Sequence, residues 1–380
     1  MKHHRIIIVG AGFSVHAGLP LAADLMEMVR EDIAKEYGKE NHFESDLNKF
    51  LEYRLKCDHI DKAEPFDYEQ FLSFLDMEHF LWLKGSDTWS EEGNESQLMI
   101  RRGIMRVIHR RMPTTPSQQC IDFCKCLSPS DWILTFNYDT LIEDTLDYLD
   151  IPYRLYPERY EEEDSNQLIV DSENGKDDIV VLKLHGSIDW FDKSFYLEHC
   201  KIGQNDIPSW KPRHAIFHPA SPVQTVPITE GPRHENDPLL NVYKVKNLED
   251  VFDEHFSKCC PLILSPSKSK IFYINPLASF WKGIQKAGGL NLGLGVIGYS
   301  LPLYDEYARQ AFYFLINNYT QVEPELELGG VKKKSVKILD YFNKQDSGWK
   351  IRKQYSFVNW QRCEVNGTGL NRKSIEWFFS

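Results

Sequence analysis

The stretch RIIIVGAGFSVHAGLP, Arg5–Pro20, constrains this chain more than any other. Ile6-Ile7-Ile8-Val9 is continuously apolar and β-branched, the pattern of a strand covered on both faces. Gly10-Ala11-Gly12 ends it. Pro20 suits the first turn of a helix, where a missing N–H is no loss. Leu21, Leu25, Val29 and Ile33 follow at four-residue spacing, and Gly38 is a natural stop. A strand buried on both faces needs helices on both sides. The segment therefore predicts a doubly wound parallel sheet of the α/β class.

The same unit recurs downstream. WILTFNYDTLIEDTLDYL reads as strand, loop and helix, and LGLGVIGYSLPLYDEYARQAFYFLI repeats it. DIVVLKLHGSIDWF and PLILSPSKSK each read as a buried strand entering a loop, and VKILDYF as a last strand. From about 40 to 128 the periodicity is helical. Phe71, Leu72, Leu75, Phe80 and Leu83 form one stripe, and Leu98, Met105 and Ile108 another. This predicts a helical insertion between the first two strands. Residues 155–178 are acidic and read as an exposed excursion, and 200–247 as a long covering loop. Aromatic runs in the tail, YSFVNW and IEWFF, predict a short β-rich segment outside the sheet. The expected division is 1–345 for the main domain and 346–380 for a tail suited to oligomer or partner contact.

Composition narrows the function classes. The chain has 380 residues, 42% hydrophobic and 26% charged, as in soluble globular proteins. A net charge of -12 argues against broad nucleic-acid binding. The basic run Lys332-Lys333-Lys334 reads as a solvated turn. No apolar run reaches bilayer length, and no signal-peptide pattern is present. The 8 cysteines include no CxxC pair, so reduced thiols and a cytoplasmic location are expected.

The specific residues cluster at expected strand tips. Gly10, Ala11, Gly12, Phe13 and Ser14 form a loop that could bring backbone N–H groups to a pyrophosphate, although Val15 stands where a GxGxxG motif has its third glycine. The competing reading is a tight turn without a ligand. Asn137 and Asp139 lie two apart at the next tip and can face one pocket; Asx turns and helix capping are the alternative. His185, in KLHGSIDW, is a candidate general base because histidine as a residue type titrates near neutral pH; a structural histidine is the alternative. Gly298-Tyr299-Ser300 could seat an adenosine on backbone groups, or simply turn the chain ahead of Pro302. His214 and His218 have metal-like spacing but lack partner ligands, so no metal site is expected.

In this order GAGFS…AGLP, TFNYD, LHGS and GYSL resemble the sirtuin-like NAD-binding domain, over residues 5–30, 130–150, 180–192 and 260–345. Thr135, Asn137 and Asp139 match a T-Q-N-x-D motif, with Phe136 replacing the glutamine. The resemblance implies a Rossmann-like sirtuin fold, Asn137 and His185 as catalytic residues, and Asp139 against nicotinamide. It places Gly10 to Ser14 and Gly298 to Ser300 on NAD+. Two departures matter. The paired CxxC zinc site of deacylating sirtuins is missing, so no zinc is expected, and G-I-P-D-F-R is replaced by Gly18-Leu19-Pro20-Leu21-Ala22-Ala23. The chain looks more like the sirtuin-like NAD-hydrolysing proteins of bacterial antiphage defence. That likeness implies an NAD+ glycohydrolase, triggered, homo-oligomeric and paired with a HerA-type ATPase. The alternatives are a non-catalytic NAD+ or ADP-ribose module and a zinc-free NAD-dependent protein deacylase.

Overall fold

The computed structural model describes residues 4–83, 92–162, 168–171, 178–203, 214–252, 256, 259–269, 273–284, 287–302, 305–342 and 348–380. The central sheet is 7-stranded and parallel throughout: β1 (Arg5–Val9), β2 (Trp132–Thr135), β3 (Tyr153–Arg154), β4 (Ile179–Lys183), β5 (Gly293–Ile297), β6 (Val336–Leu339) and β7 (Cys363–Asn366). Its order is β7-β6-β5-β1-β2-β4-β3. The chain leaves β1 toward β2 and later returns to β5 on the other side. This reversal makes the β1/β5 boundary a topological switch point, where such sheets open a crevice. Val9 lies opposite both Thr135 and Ile297, and Thr135 opposite Lys183. The loops after β1, β2, β4 and β5 therefore start at one level, along one edge.

The expected apolar strands form the core. Ile7, Ile8, Val9, Ile133, Val180, Val181 and Val296 are all buried. Between β1 and β2 lie α1 (Ala22–Tyr37), α2 (His42–Cys57), α3 (Tyr68–Phe80), α4 (Glu95–His109) and α5 (Gln118–Lys125), which bears out the helical insertion. Helix α1 begins just after Pro20, with Leu21 as its exposed N-cap and Leu25, Val29 and Ile33 buried. Helix α4 starts at an Asn94/Gln97 capping box and is buried on most sides. A Cβ on its Gly103 would stand 2.9 Å from Val29 Cγ1, so glycine lets α4 approach α1 closely. Arg106 of α4 and Arg110, its C-cap, both bond the buried Asp32 of α1, at 2.7 and 2.5 Å. Phe71, Leu72 and Leu75 of α3 are buried, but Phe80 and Leu83 are exposed. The helix ends at Phe80, and Trp82 at φ 56 turns the chain outward.

Several expectations need correction. The tail is not a separate β-rich segment. Its one strand, β7, joins the edge of the central sheet, and helices Trp349–Gln354 and Arg372–Phe379 flank it. IEWFF is helical because Asn371 and Ser374 form a capping box and Ile375 and Phe378 fall on one buried face. PLILSPSKSK forms no strand among the described residues; Ile263 makes only an isolated bridge to Gly186. Residues 214–247 are more than a loop. Val242–Val245 pairs with both Trp190–Asp192 and Thr225–Pro227 as the central strand of a 3-stranded antiparallel sheet, and Trp190, Leu239 and Val242 are buried. The excursion at 155–178 includes an antiparallel pair, Arg159–Glu162 with Leu168–Asp171, and Tyr160 is buried. Lys333 is buried too, donating to the carbonyls of Gly289 and Val322, so the basic run is not simply solvated. No helix among the described residues is long and apolar enough to cross a membrane.

Candidate active site

The predicted residues converge at the carboxyl edge of the sheet, at the switch point and over the neighbouring β2 and β4. On the β1/β5 side, two loops meet backbone to backbone. Gly10 N donates to Ile297 O at 3.0 Å and Gly12 N to Gly298 O at 2.9 Å. A Cβ on Gly12 would lie 2.8 Å from Gly298 Cα, and one on Gly10 2.6 Å from Gly298 O. Gly298 adopts φ 58, and its own Cβ would lie 2.5 Å from Gly12 C. These glycines are needed for loop-to-loop packing before any ligand is considered. Phe13 N and Ser14 N donate to Gly10 O and Ala11 O, so these amides, like that of Gly12, are engaged by protein. Ala11 and Gly12 are half-buried and Ser300 is exposed.

The β2/β4 side is built from side chains. Asn137 Nδ2 donates to Gly10 O at 3.1 Å and to Ser14 Oγ at 3.0 Å. Ser14 Oγ donates to Asp139 Oδ2 at 2.9 Å, and Leu141 N to Asp139 Oδ1 at 3.2 Å. The glycine loop and the Asn-x-Asp loop are thus one hydrogen-bonded unit. Helix α6 (Leu141–Tyr148) starts from this loop. Burial pushes the Asp139 carboxyl up; the Lys183 ammonium, the Leu141 amide and the Ser14 hydroxyl pull against it. Lys183, at the end of β4, donates to the backbone oxygen of Asp139 and pairs with Glu143 at 2.8 Å; both of these side chains are buried. The Asx-turn alternative for Asp139 is therefore partly correct, since one carboxylate oxygen accepts from the Leu141 amide two residues on while the other holds Ser14.

His185 follows β4 and is held in an aromatic enclosure. Phe136 meets it edge-on at 4.8 Å, and Trp281, Tyr138 and Tyr307 surround it. Its Nε2 lies 2.7 Å from the Tyr307 hydroxyl. Leu264 N donates to His185 O at 2.9 Å, and a Cβ on Gly186 would lie 2.0 Å from Leu262 O. The PLIL segment thus buttresses the histidine loop, although it is no strand. Phe136 also stacks on Tyr299 at 4.1 Å, linking the two sides. Tyr299 donates to Asp305 Oδ2 at 3.1 Å, and its backbone oxygen accepts from Tyr355 of the tail at 2.7 Å.

Sequence reading missed Lys183, Glu143, Trp281, Tyr307 and Tyr355. One signal was present: Lys183 is a charge inside the apolar run IVVLKL. Glu143 lies four residues after Asp139, while Trp281, Tyr307 and Tyr355 come from remote segments, with Tyr307 122 residues from His185. His16 was also passed over. Its Nε2 lies 3.2 Å from Cys120 Sγ, and burial lowers the histidine and pushes the thiol up to about 11. His214 pairs with Glu92, both buried, while His218 is exposed.

With this geometry in view, the relatives can be placed. The SIR2-like domain family matches residues 131–209, a stretch that holds Asn137, Asp139, Lys183 and His185. No curated protein matches the chain in sequence. Among solved structures, a sirtuin described for the structural basis of substrate affinity aligns with a TM-score of 0.36 at 10% identity, covering 98% of this chain and 92% of that one. Sir2Tm bound to a propionylated peptide aligns with a TM-score of 0.34 at 10% identity, covering 98% of this chain and 90% of that one.

Proposed function

We propose that this protein hydrolyses NAD+ at the nicotinamide–ribose bond, releasing nicotinamide and ADP-ribose. One observation carries the reading. Ser14, Asn137 and Asp139 form a continuous hydrogen-bonded chain at the carboxyl edge of the sheet, linking the loops after β1 and β2, and His185 stands on the neighbouring strand tip. The SIR2-like match over 131–209 supports it by spanning three of these four residues. The donor set suits the task. Departure of nicotinamide leaves an oxocarbenium-like ribose, which the Asp139 carboxylate would oppose. Asn137 would position the ribose or the attacking water. His185 would take a proton, a role typically worth about 10²–10⁴-fold.

The motif resemblance supports a finer proposal: a triggered, NAD-depleting effector of antiphage defence, cytoplasmic and homo-oligomeric, with a HerA-type ATPase as partner. The first test is chromatography of NAD+ incubated with the purified protein, without acyl-peptide, beside Asn137→Ala and His185→Ala. Nicotinamide and ADP-ribose from the wild type alone are expected. Turnover only on addition of acyl-peptide would replace the hydrolase with a deacylase. Bound NAD+ that stays intact even with the ATPase added would leave a binding module.

A further inference from the structure

The enclosure around His185 contains one polar contact that the proposed reaction does not yet use. Tyr307 sits in the first turn of helix Glu306–Gln321, and its hydroxyl lies 2.7 Å from His185 Nε2. Its ring is fixed from the other side by Trp281, edge-on at 4.8 Å. Trp281 is itself anchored, since its indole N–H donates to Leu184 O at 3.2 Å. The hydroxyl is therefore held in place by packing rather than left to rotate on a free side chain.

We propose that Tyr307 relays the proton from the reacting hydroxyl or water to His185 and selects the imidazole tautomer that receives it; this rests on the hydrolase reading above. Burial, and behind it the charges of Asp305, Tyr138 and Glu69, push the Tyr307 phenol well above its ordinary value. The phenol therefore keeps its proton and can donate to a neutral imidazole. Donation to Nε2 requires the ring proton to sit on Nδ1, so the basic lone pair is on Nε2. In the transfer the phenol gives its proton to Nε2 while its oxygen takes the proton of the reacting hydroxyl or water. The new Nε2–H then points at the phenol oxygen, in a charge-assisted bond stronger than the one it replaces. The imidazole ends charged, the phenol ends neutral with the proton it has received, and no other group changes its protonation.

The test has two independent readouts. Histidine ring nitrogens are labelled with ¹⁵N, and His185 is identified by the signal lost in His185→Gln. At alkaline pH the wild type should show a single dominant tautomer with the proton on Nδ1. Tyr307→Phe keeps the ring and its packing on Trp281 but removes the hydroxyl, and should mix the two tautomers. Trp281→Phe, which leaves the hydroxyl intact, should retain the wild-type tautomer and guards against a general packing effect. In the NAD+ assay Tyr307→Phe should lower kcat by about tenfold or more while KM moves by less than about twofold, since the relay acts on the chemical step. An unchanged His185 spectrum in Tyr307→Phe overturns the proposal, whatever the kinetics. If the spectrum changes as expected but the wild type never cleaves NAD+, the hydrolase reading fails and the His185–Tyr307 coupling stands.

Discussion

The two sides of the crevice are made of different materials. On the β1/β5 side, Gly10, Gly12 and Gly298 pack main chain against main chain, and the constraint is steric. On the β2/β4 side, Ser14, Asn137, Asp139 and Lys183 are tied by hydrogen bonds and buried charge, and the constraint is electrostatic. Both sides announce themselves in sequence through conspicuous motifs. A glycine motif reports where backbones must come close, whether the neighbour is a phosphate or another loop. An Asn-x-Asp motif next to a buried lysine reports where polar groups must be satisfied away from water. The comparison predicts that substitutions on the first side will act on folding, and those on the second will divide between chemistry and folding.

The largest effect is expected at the reacting groups. Asn137→Ala and His185→Ala should each lower NAD+ cleavage by about 10²-fold or more. Their thermal unfolding should change far less, because each leaves the backbone path intact. A variant that loses activity only in proportion to its loss of folded protein would place that residue with the scaffold and weaken the contrast between the sides.

Next come two stability tests, one from each side. Gly298→Ala forces a Cβ to 2.5 Å from Gly12 C in a backbone at φ 58. The neighbour is main chain and cannot rotate away, so a loss of roughly 3 kcal/mol or more is expected in denaturant unfolding. A mild loss, with NAD+ binding abolished instead, would return the glycines to a phosphate-cradling role. Lys183→Met strands the buried Glu143 without its partner, 2.8 Å away in the native protein. Removing one member of a buried pair costs about 3–5 kcal/mol. Pairing Lys183→Met with Glu143→Gln should restore part of that loss, because the uncompensated charge is gone. A double variant no better than the single one would show that the lysine matters through its bond to the Asp139 carbonyl.

How much of this was legible in the sequence follows from where the information sits. Local patterns were sufficient for β1, α1, β2 and β5, because a buried parallel strand writes itself as a continuous apolar run. The helical insertion was visible for the same reason, through its stripes. The enclosure of His185 was not, since Trp281 and Tyr307 reach it from segments with no fixed spacing to it. The tail was misread because aromatic residues carry strand propensity, while the Asn371/Ser374 capping box that decides the helix is a side-chain geometry. PLIL was misread because apolar content alone does not make a strand. Leu262 N and Leu264 N donate to the Trp190 and His185 carbonyls, while Ile263 N turns back onto Pro261 O, so no continuous ladder forms.

The smallest effect concerns the tail and the site it reaches. Tyr355 is fully buried, and its hydroxyl donates to Tyr299 O, in the loop that stacks Tyr299 on Phe136. Tyr355→Phe removes that donor and leaves a buried carbonyl unpaired, at a cost of about 1–2 kcal/mol. The ring itself remains, so the apolar packing of the tail should persist. Urea unfolding should therefore show a lower midpoint with an unchanged slope. If the midpoint does not move, the tail holds the β5 loop through packing alone. If the slope falls as well, the tail unfolds separately from the sheet, and a lone edge strand with two short helices is too weakly joined to brace the crevice.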